Sequence, residues 1–339
     1  MGDLQLVVVD ETRRQHSSIY EIGFIKRGSS HMSNVNSLSE PEGVIARALF
    51  AYAAGDAFGV GYEFLTEPRI VDRINIVARG ETMLWDSEPW PLGGVSDDTL
   101  LTQISIQALQ SGKEGSDLTE EFLTLLRAAM PDLRGLGPTT RKALGLPLKG
   151  DEISNGRSNG AMMRTALLGA AFPRARDEHR RKAVRNLAVA THQDASAQFA
   201  AIVLSAAFSA AYEDPSARVD DVVSQESGFL VSSDFAADQE WIERVLTYVP
   251  PESGTSLDPL DTLGAVLHVS RNVENVEDSY YLACELGGDT DTVGALAGAL
   301  SATRFRQGRL FDIPWFPQVH WSEVPRLQEY ANVLEKMRG

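Results

Sequence analysis

Three stretches of the chain are built mainly from alanine, glycine and serine, with larger apolar residues at helical spacing: "GVIARALFAYAAGDAFG" (43–59), "SAQFAAIVLSAAFSAAYED" (196–214) and "TVGALAGALSATRF" (292–305). Alanine favours the helix, whereas glycine inside one costs about 1 kcal/mol. Such residues recur where helix backbones approach closely in a buried core. This constrains the fold more than any other feature. Further helical patterns fall at 99–112, 118–130, 161–172, 178–192, 238–249, 260–270 and 279–288. Alternating strand patterns are missing from the body of the chain. The expectation is therefore a compact, nearly all-α domain over residues 41–339, with the acidic, less regular stretch 214–260 as a surface insertion.

Residues 1–40 read differently. "LQLVVV" (4–9) and "SSIYEIGFI" (17–25) resemble short strands, and a polar, irregular linker follows them. They are too apolar for a comfortable free tail and suit a partner-binding arm. A plain tail, or vector-derived sequence at "GSSHM", remains the alternative. Lys and Arg number 31 against 47 Asp and Glu, a net charge of −16, which disfavours nucleic acid and anionic lipid as partners. Cys284 is the single cysteine, so an internal disulfide is impossible and a cysteine-based metal site is disfavoured. No apolar run is expected to span a membrane, and no secretory pattern opens the sequence. A cytoplasmic location is the default expectation.

Two acidic clusters carry the chemistry. "GGDTDT" (287–292) and "GGVSDDT" (93–99) each set two glycines, paired acids and hydroxyl residues before an apolar helix. Helix capping explains one side chain of each. It leaves further carboxylates that repel one another unless protonated or bound to a cation. If the two helix mouths face each other, they offer hard oxygen ligands for Mg²⁺ or Mn²⁺ and a poor match for zinc. Three other motifs favour bland readings when taken singly. Asp56 and Glu63 flank a glycine-spaced turn; Ser158, Asn159 and Gly160 precede a helix whose N–H groups are suited to a phosphate; His192 lies at a helix end.

In their order, "GDAFG…E", "SDDT", "SNGAMMR", "TH" and "GGDTDT" resemble the ADP-ribosylglycohydrolase family, which includes dinitrogenase reductase-activating glycohydrolases and ADP-ribosylarginine hydrolases. The resemblance spans about residues 43–305. It implies a compact orthogonal all-α domain, preceded here by the short non-helical extension, and an Mg²⁺-dependent hydrolase with two Mg²⁺, or Mn²⁺, bound. Carried onto this chain, it implies Ser96, Asp97, Asp98, Asp289, Asp291 and Thr292 as metal ligands. Asp98 and Glu63 are the catalytic candidates for moving a proton. Asp56, Ser158, Asn159, Gly160 and His192 are the substrate-binding candidates. Serine stands at 96 where the family usually has threonine, and at 158 where it usually has glycine; the first keeps the oxygen, the second alters the loop.

The implied partner is an ADP-ribosylated protein, most simply one modified on arginine. O-linked ADP-ribose (serine or O-acetyl) is the alternative substrate, and a binding module with a weak site or another two-metal enzyme is the alternative function. Some family members act as immunity proteins, which gives residues 1–40 a candidate partner in a cognate ADP-ribosyltransferase toxin.

Overall fold

In the computed structural model, residues 39–78, 90–149 and 154–339 are described. The two strand-like segments expected before residue 39 lie outside them. Among the described residues there are helices and 3₁₀ turns but no strand. One isolated parallel bridge joins Thr255 to Gly288.

The centre is a helix pair. α1 (Val44–Gly59) and α13 (Thr290–Arg304) are buried along nearly their whole length. Their glycines explain the contact: a Cβ on Gly55 would lie 2.2 Å from the Gly294 carbonyl oxygen, and one on Gly59 2.4 Å from the Asp291 Cα. Backbone meets backbone there because nothing larger than hydrogen stands between. Thr290 Oγ1 donates to the Gly59 carbonyl at 2.8 Å, fixing the start of α13 against the end of α1. The pair therefore brings the "GDAFG" and "GGDTDT" motifs to one end of the domain.

α3 (Asp97–Gln110) leads into α4 (Gly115–Ala129), and the short helices α5 (Pro138–Ala143) and α6 (Gly160–Thr165) carry the chain towards α7 (Asp177–Val189). α8 (Ala195–Glu213) is long and apolar enough to cross a membrane, contrary to the expectation that no segment is. However, 89 % of that stretch is buried, as in a core helix of a soluble fold. It packs on α6, α7 and the 3₁₀ segment Ala166–Ala171. The helix expected across 161–172 breaks at Thr165, and the 3₁₀ segment begins there. A Cβ on Gly169 would sit 1.9 Å from the Ser205 carbonyl oxygen, so this close approach to α8 fixes the path of the chain.

Within the stretch expected as a surface insertion, α10 (Gln239–Leu246) is the helix expected at 238–249, and α9 (Val219–Ser232) is an additional one; together they bury Val219, Val223, Leu230, Ile242 and Val245. The remaining elements are α2 (Glu67–Ala78), α11 (Pro259–Asn272), α12 (Val276–Leu286) and α14 (Leu327–Arg338). Between α13 and α14, Trp315 inserts its indole against Phe58 of α1 (centroids 4.4 Å apart) and Tyr280 of α12 (5.0 Å). This aromatic wedge closes the core behind the central pair. Residues Glu40–Gly339 form one unit.

Candidate active site

The site assembles from three helix mouths. At the start of α3, Ser96 is the N-cap, and its Oγ accepts from the Asp98 N–H at 3.1 Å. Capping thus consumes Ser96 and neither aspartate. Asp56, fully buried on α1, reaches across to the same helix start. Its carboxylate accepts from the Ser96 N–H at 3.0 Å, the Thr99 N–H at 3.1 Å and the Thr99 hydroxyl at 2.6 Å. With both oxygens engaged, Asp56 is placed to orient "SDDT". Asp97 is half-buried. A Cβ on Gly135, where φ is +79°, would lie 2.9 Å from its Oδ1, so that loop needs glycine to pass the carboxylate. Asp98 is buried, and its Oδ2 has no hydrogen-bond partner.

At the start of α13, Gly287 (φ +68°) and Gly288 (φ +76°) form a left-handed turn that other residues rarely adopt. A Cβ on Gly288 would meet the Thr255 carbonyl oxygen at 2.0 Å. The Asp289 N–H donates to that same oxygen at 3.0 Å. Asp289 is the N-cap residue by position, yet its side chain makes no capping bond; the Asn159 amide donates to its Oδ2 instead. Asp291 is buried and accepts through Oδ1 from the Thr292 N–H at 2.9 Å. Helix-end bonding therefore leaves the side chains of Asp97, Asp98 and Asp289 unaccounted for, together with the second oxygen of Asp291.

Glu63 follows α1 on a tight turn. One carboxylate oxygen each from Glu63, Asp289 and Asp291 lie within 4.8 Å of one another, a spacing that suits a metal ion. The next residue, Phe64, has φ +51°, unusual for an aromatic residue. Its N–H donates to the Gly288 carbonyl at 2.8 Å, and its ring is 60 % exposed. This kink ties the Glu63 turn to the glycine turn of the second acidic cluster.

The electrostatics follow from crowding. Burial, then the charges of Asp291, Asp97 and Asp56, pushes the Glu63 carboxyl up to about 8. Burial and the Asp56 charge raise Asp97 to about 7. Burial raises Asp289 to about 6 against its hydrogen bonds, and Asp98 and Asp291 are driven well above the usual carboxylate range. The same carboxylates would be ionised beside divalent cations. All-oxygen donors, a partnerless Asp98 Oδ2 and mutually repelling acids fit hard cations and give no soft ligand for zinc.

Beside this cluster lies the "SNG" segment. Asn159 also donates to Thr262 Oγ1 at 2.9 Å, so one amide links α11 to Asp289. Ser158 Oγ lies 2.8 Å from His192 Nε2, and a Cβ on Gly160 would press on that imidazole at 3.0 Å. The helix that Gly160 opens is only six residues long, and the Asn159 N–H is already donated to the Leu257 carbonyl. The Asn159 N–H and its side-chain amide are thus both engaged within the protein. Sequence reasoning missed Thr99, Thr262, Gly135 and the two residues behind His192, Thr191 and Arg164. An arginine inside the apolar stretch "GAMMRTALLGAA" was the available signal, since a buried guanidinium must find partners.

The sequence model of the ADP-ribosylglycohydrolase family matches residues 40–337. A solved structure described as an ADP-ribosylglycohydrolase-related protein complex has the same fold, with a TM-score of 0.62 at 25 % identity over 87 % of this chain and 98 % of that one. No curated protein matches the chain. With the match covering nearly all the described residues and the acidic helix mouths meeting at one end of the fold, the chain belongs to the ADP-ribosylglycohydrolase family, glycosyl hydrolases that act on ADP-ribosylated substrates.

Proposed function

We propose that this enzyme is an Mg²⁺- or Mn²⁺-dependent hydrolase that removes ADP-ribose from arginine side chains of modified proteins. The observation that carries the metal dependence is the convergence of Glu63, Asp289 and Asp291 beside a second pair of acids whose helix already has its cap. Ser96, Asp97 and Asp98 on one side and Asp289, Asp291 and Thr292 on the other are the proposed ligands, with Glu63 near enough to Asp289 and Asp291 to contact a cation there or the water it holds. Two divalent cations, if held there, would supply positive charge able to orient ribose hydroxyls and water. Asp56 holds the α3 mouth in register. Glu63, half-buried at the edge of the cluster, is positioned to take or return a proton at its carboxyl as water attacks and the side chain departs. Asp98 is the second candidate for that task through its free Oδ2.

Ser158, Asn159, Gly160 and His192 are proposed to hold the ADP-ribose. The Asn159 link to Asp289 supports this, because it couples the loop directly to the metal cluster. Arginine as the modified group is supported by charge: an anionic protein and a carboxylate-rich cluster favour approach of a cationic guanidinium. Incubation with arginine-, serine- and acetyl-linked ADP-ribose, with and without Mg²⁺, tests the whole reading. Free ADP-ribose should appear fastest from the arginine conjugate and only with the cation. Release of AMP would instead indicate phosphohydrolysis. The immunity role proposed for residues 1–40 rests on their composition alone. Deleting residues 1–38 should spare hydrolysis of small conjugates and weaken binding to a cognate transferase.

A further inference from the structure

Behind the ligand loop, two buried side chains that the reaction as described does not use, Arg164 and Thr191, lead to His192 and Ser158. Arg164 is fully buried on α6, with its guanidinium 4.2 Å over the Phe122 ring. Its Nη2 donates to the Leu187 carbonyl at 2.9 Å and to Thr191 Oγ1 at 2.8 Å. Thr191 Oγ1 lies 2.7 Å from His192 Nδ1, His192 Nε2 lies 2.8 Å from Ser158 Oγ, and Ser158 Oγ reaches Thr139 Oγ1 only at 3.4 Å.

The donors and acceptors resolve in one direction. Arginine has no acceptor, so Thr191 Oγ1 accepts from it. The buried Thr191 hydroxyl hydrogen then needs an acceptor, and His192 Nδ1 is the one within reach. Nδ1 is therefore bare and the imidazole proton sits on Nε2, which donates to Ser158 Oγ. The imidazole is buried beside the Arg164 charge, and both effects push its pKa down to about 3, so it stays neutral at working pH. Ser158, having accepted from His192, keeps one hydrogen. Its partner Thr139 stands at the outer limit of hydrogen bonding, and Ser158 is only half-buried.

We propose that Arg164, Thr191 and His192 form a positioning relay that fixes Ser158 as a hydrogen-bond donor towards an acceptor-only anionic oxygen, a phosphate oxygen of the bound nucleotide diphosphate. Such a donor welcomes a phosphate oxygen, and Ser158 Oγ keeps one further lone pair. The relay thereby presents one oriented hydroxyl hydrogen to the diphosphate. This deepens the proposed ADP-ribose reading and rests on it for the identity of the ligand, but the direction of the relay does not depend on any ligand.

Two measurements test it. Imidazole ¹⁵N NMR of the ligand-free wild-type protein should show His192 as the neutral tautomer protonated on Nε2, and should show it still neutral at pH 5. A proton on Nδ1, or an imidazolium, would overturn the relay. Calorimetry with ADP-ribose and with adenosine then reads the function. Thr191→Val and Ser158→Ala should each weaken ADP-ribose by about ten- to a hundredfold, as loss of a bond to a charged group does, and leave adenosine unchanged. Thr191→Ser, which restores the hydroxyl, should recover most of the affinity. In turnover, the loss should fall on KM with kcat nearly unchanged. Equal affinities for wild type and Thr191→Val, or equal losses for ADP-ribose and adenosine, would overturn the proposal. If wild type bound no ADP-ribose while the Nε2 tautomer was observed, the ligand assignment would fall and the relay direction would stand.

Discussion

Withdrawing divalent cations should make the stability of this fold depend steeply on pH. In the cation-free protein, Glu63 is displaced from 4.5 to about 8 by burial and by Asp291, Asp97 and Asp56. Asp97 rises to about 7 and Asp289 to about 6, with burial again the first cause. Each carboxyl binds its proton more tightly in the folded than in the unfolded chain. The stability that protonation gives is complete below about pH 4 and is lost as pH rises through about 6 to 8. At about 1.4 kcal/mol per pH unit, Glu63 alone corresponds to roughly 3–5 kcal/mol after allowance for its partial exposure. That is a large share of the roughly 5–15 kcal/mol that stabilises a typical domain, and it should lower the melting temperature by roughly 5–10 °C between pH 5 and pH 8.5. Thermal melts in chelator across that range measure it. Mg²⁺ at about a hundred times its dissociation constant should return about 2.7 kcal/mol at pH 8 and much less at pH 5, where protons compete for the same oxygens. A melting temperature that stayed flat with pH in chelator, or an Mg²⁺ shift equal at both pH values, would refute the claim that these acids repel one another in a shared cation site.

Replacing Asp97 or Asp291 by alanine should lower turnover at least about a thousandfold in saturating Mg²⁺, because each removes an anionic ligand that water cannot replace. Circular dichroism should stay near wild type, since Ser96 caps α3 and only one first-turn bond of α13, Thr292 N–H to Asp291, is lost. Gly55→Ala should destabilise by about 3 kcal/mol or more in denaturant unfolding, as its Cβ would lie 2.2 Å from the Gly294 oxygen. Gly228→Ala, with nothing within 4 Å on α9, should stabilise by about 0.5–1 kcal/mol. Phe64→Gly should raise the melting temperature by relieving roughly 1 kcal/mol of left-handed strain at φ +51°, with little packing lost from a largely exposed ring.

The alanine and glycine runs made close helix contact in a buried core legible in the sequence, because such contact demands small residues and leaves a compositional trace; that α1 pairs with α13 is fixed by residues far apart in the chain, Gly55 and Gly294 among them, and is recorded in no local pattern. The paired acids were legible for a related reason: two carboxylates exceed what a single helix start can use. Asp56 shows where such reasoning stops. Its acid type was visible, but its task of holding the α3 mouth is fixed by Ser96 and Thr99, about forty positions away, and no local pattern records that distance. α9 was read as irregular because its acidic face dominates the composition, while Val223 and Leu230 bury the opposite face. The helix at 161–172 was read as continuous because propensity favours it, and the contact of Gly169 with α8 overrides propensity. His192 was found as a lone histidine; the direction of its hydrogen bonds became readable only once Thr191 and Arg164 stood beside it.

The most direct test of the central claim is anomalous diffraction from crystals grown with Mn²⁺ and ADP-ribose. Two peaks should appear between the helix mouths, bounded by Asp97 and Asp98 on one side and by Asp289 and Asp291 on the other, with ribose density against them. An active, Mn²⁺-loaded preparation with no anomalous peak between those four carboxylates would contradict the account.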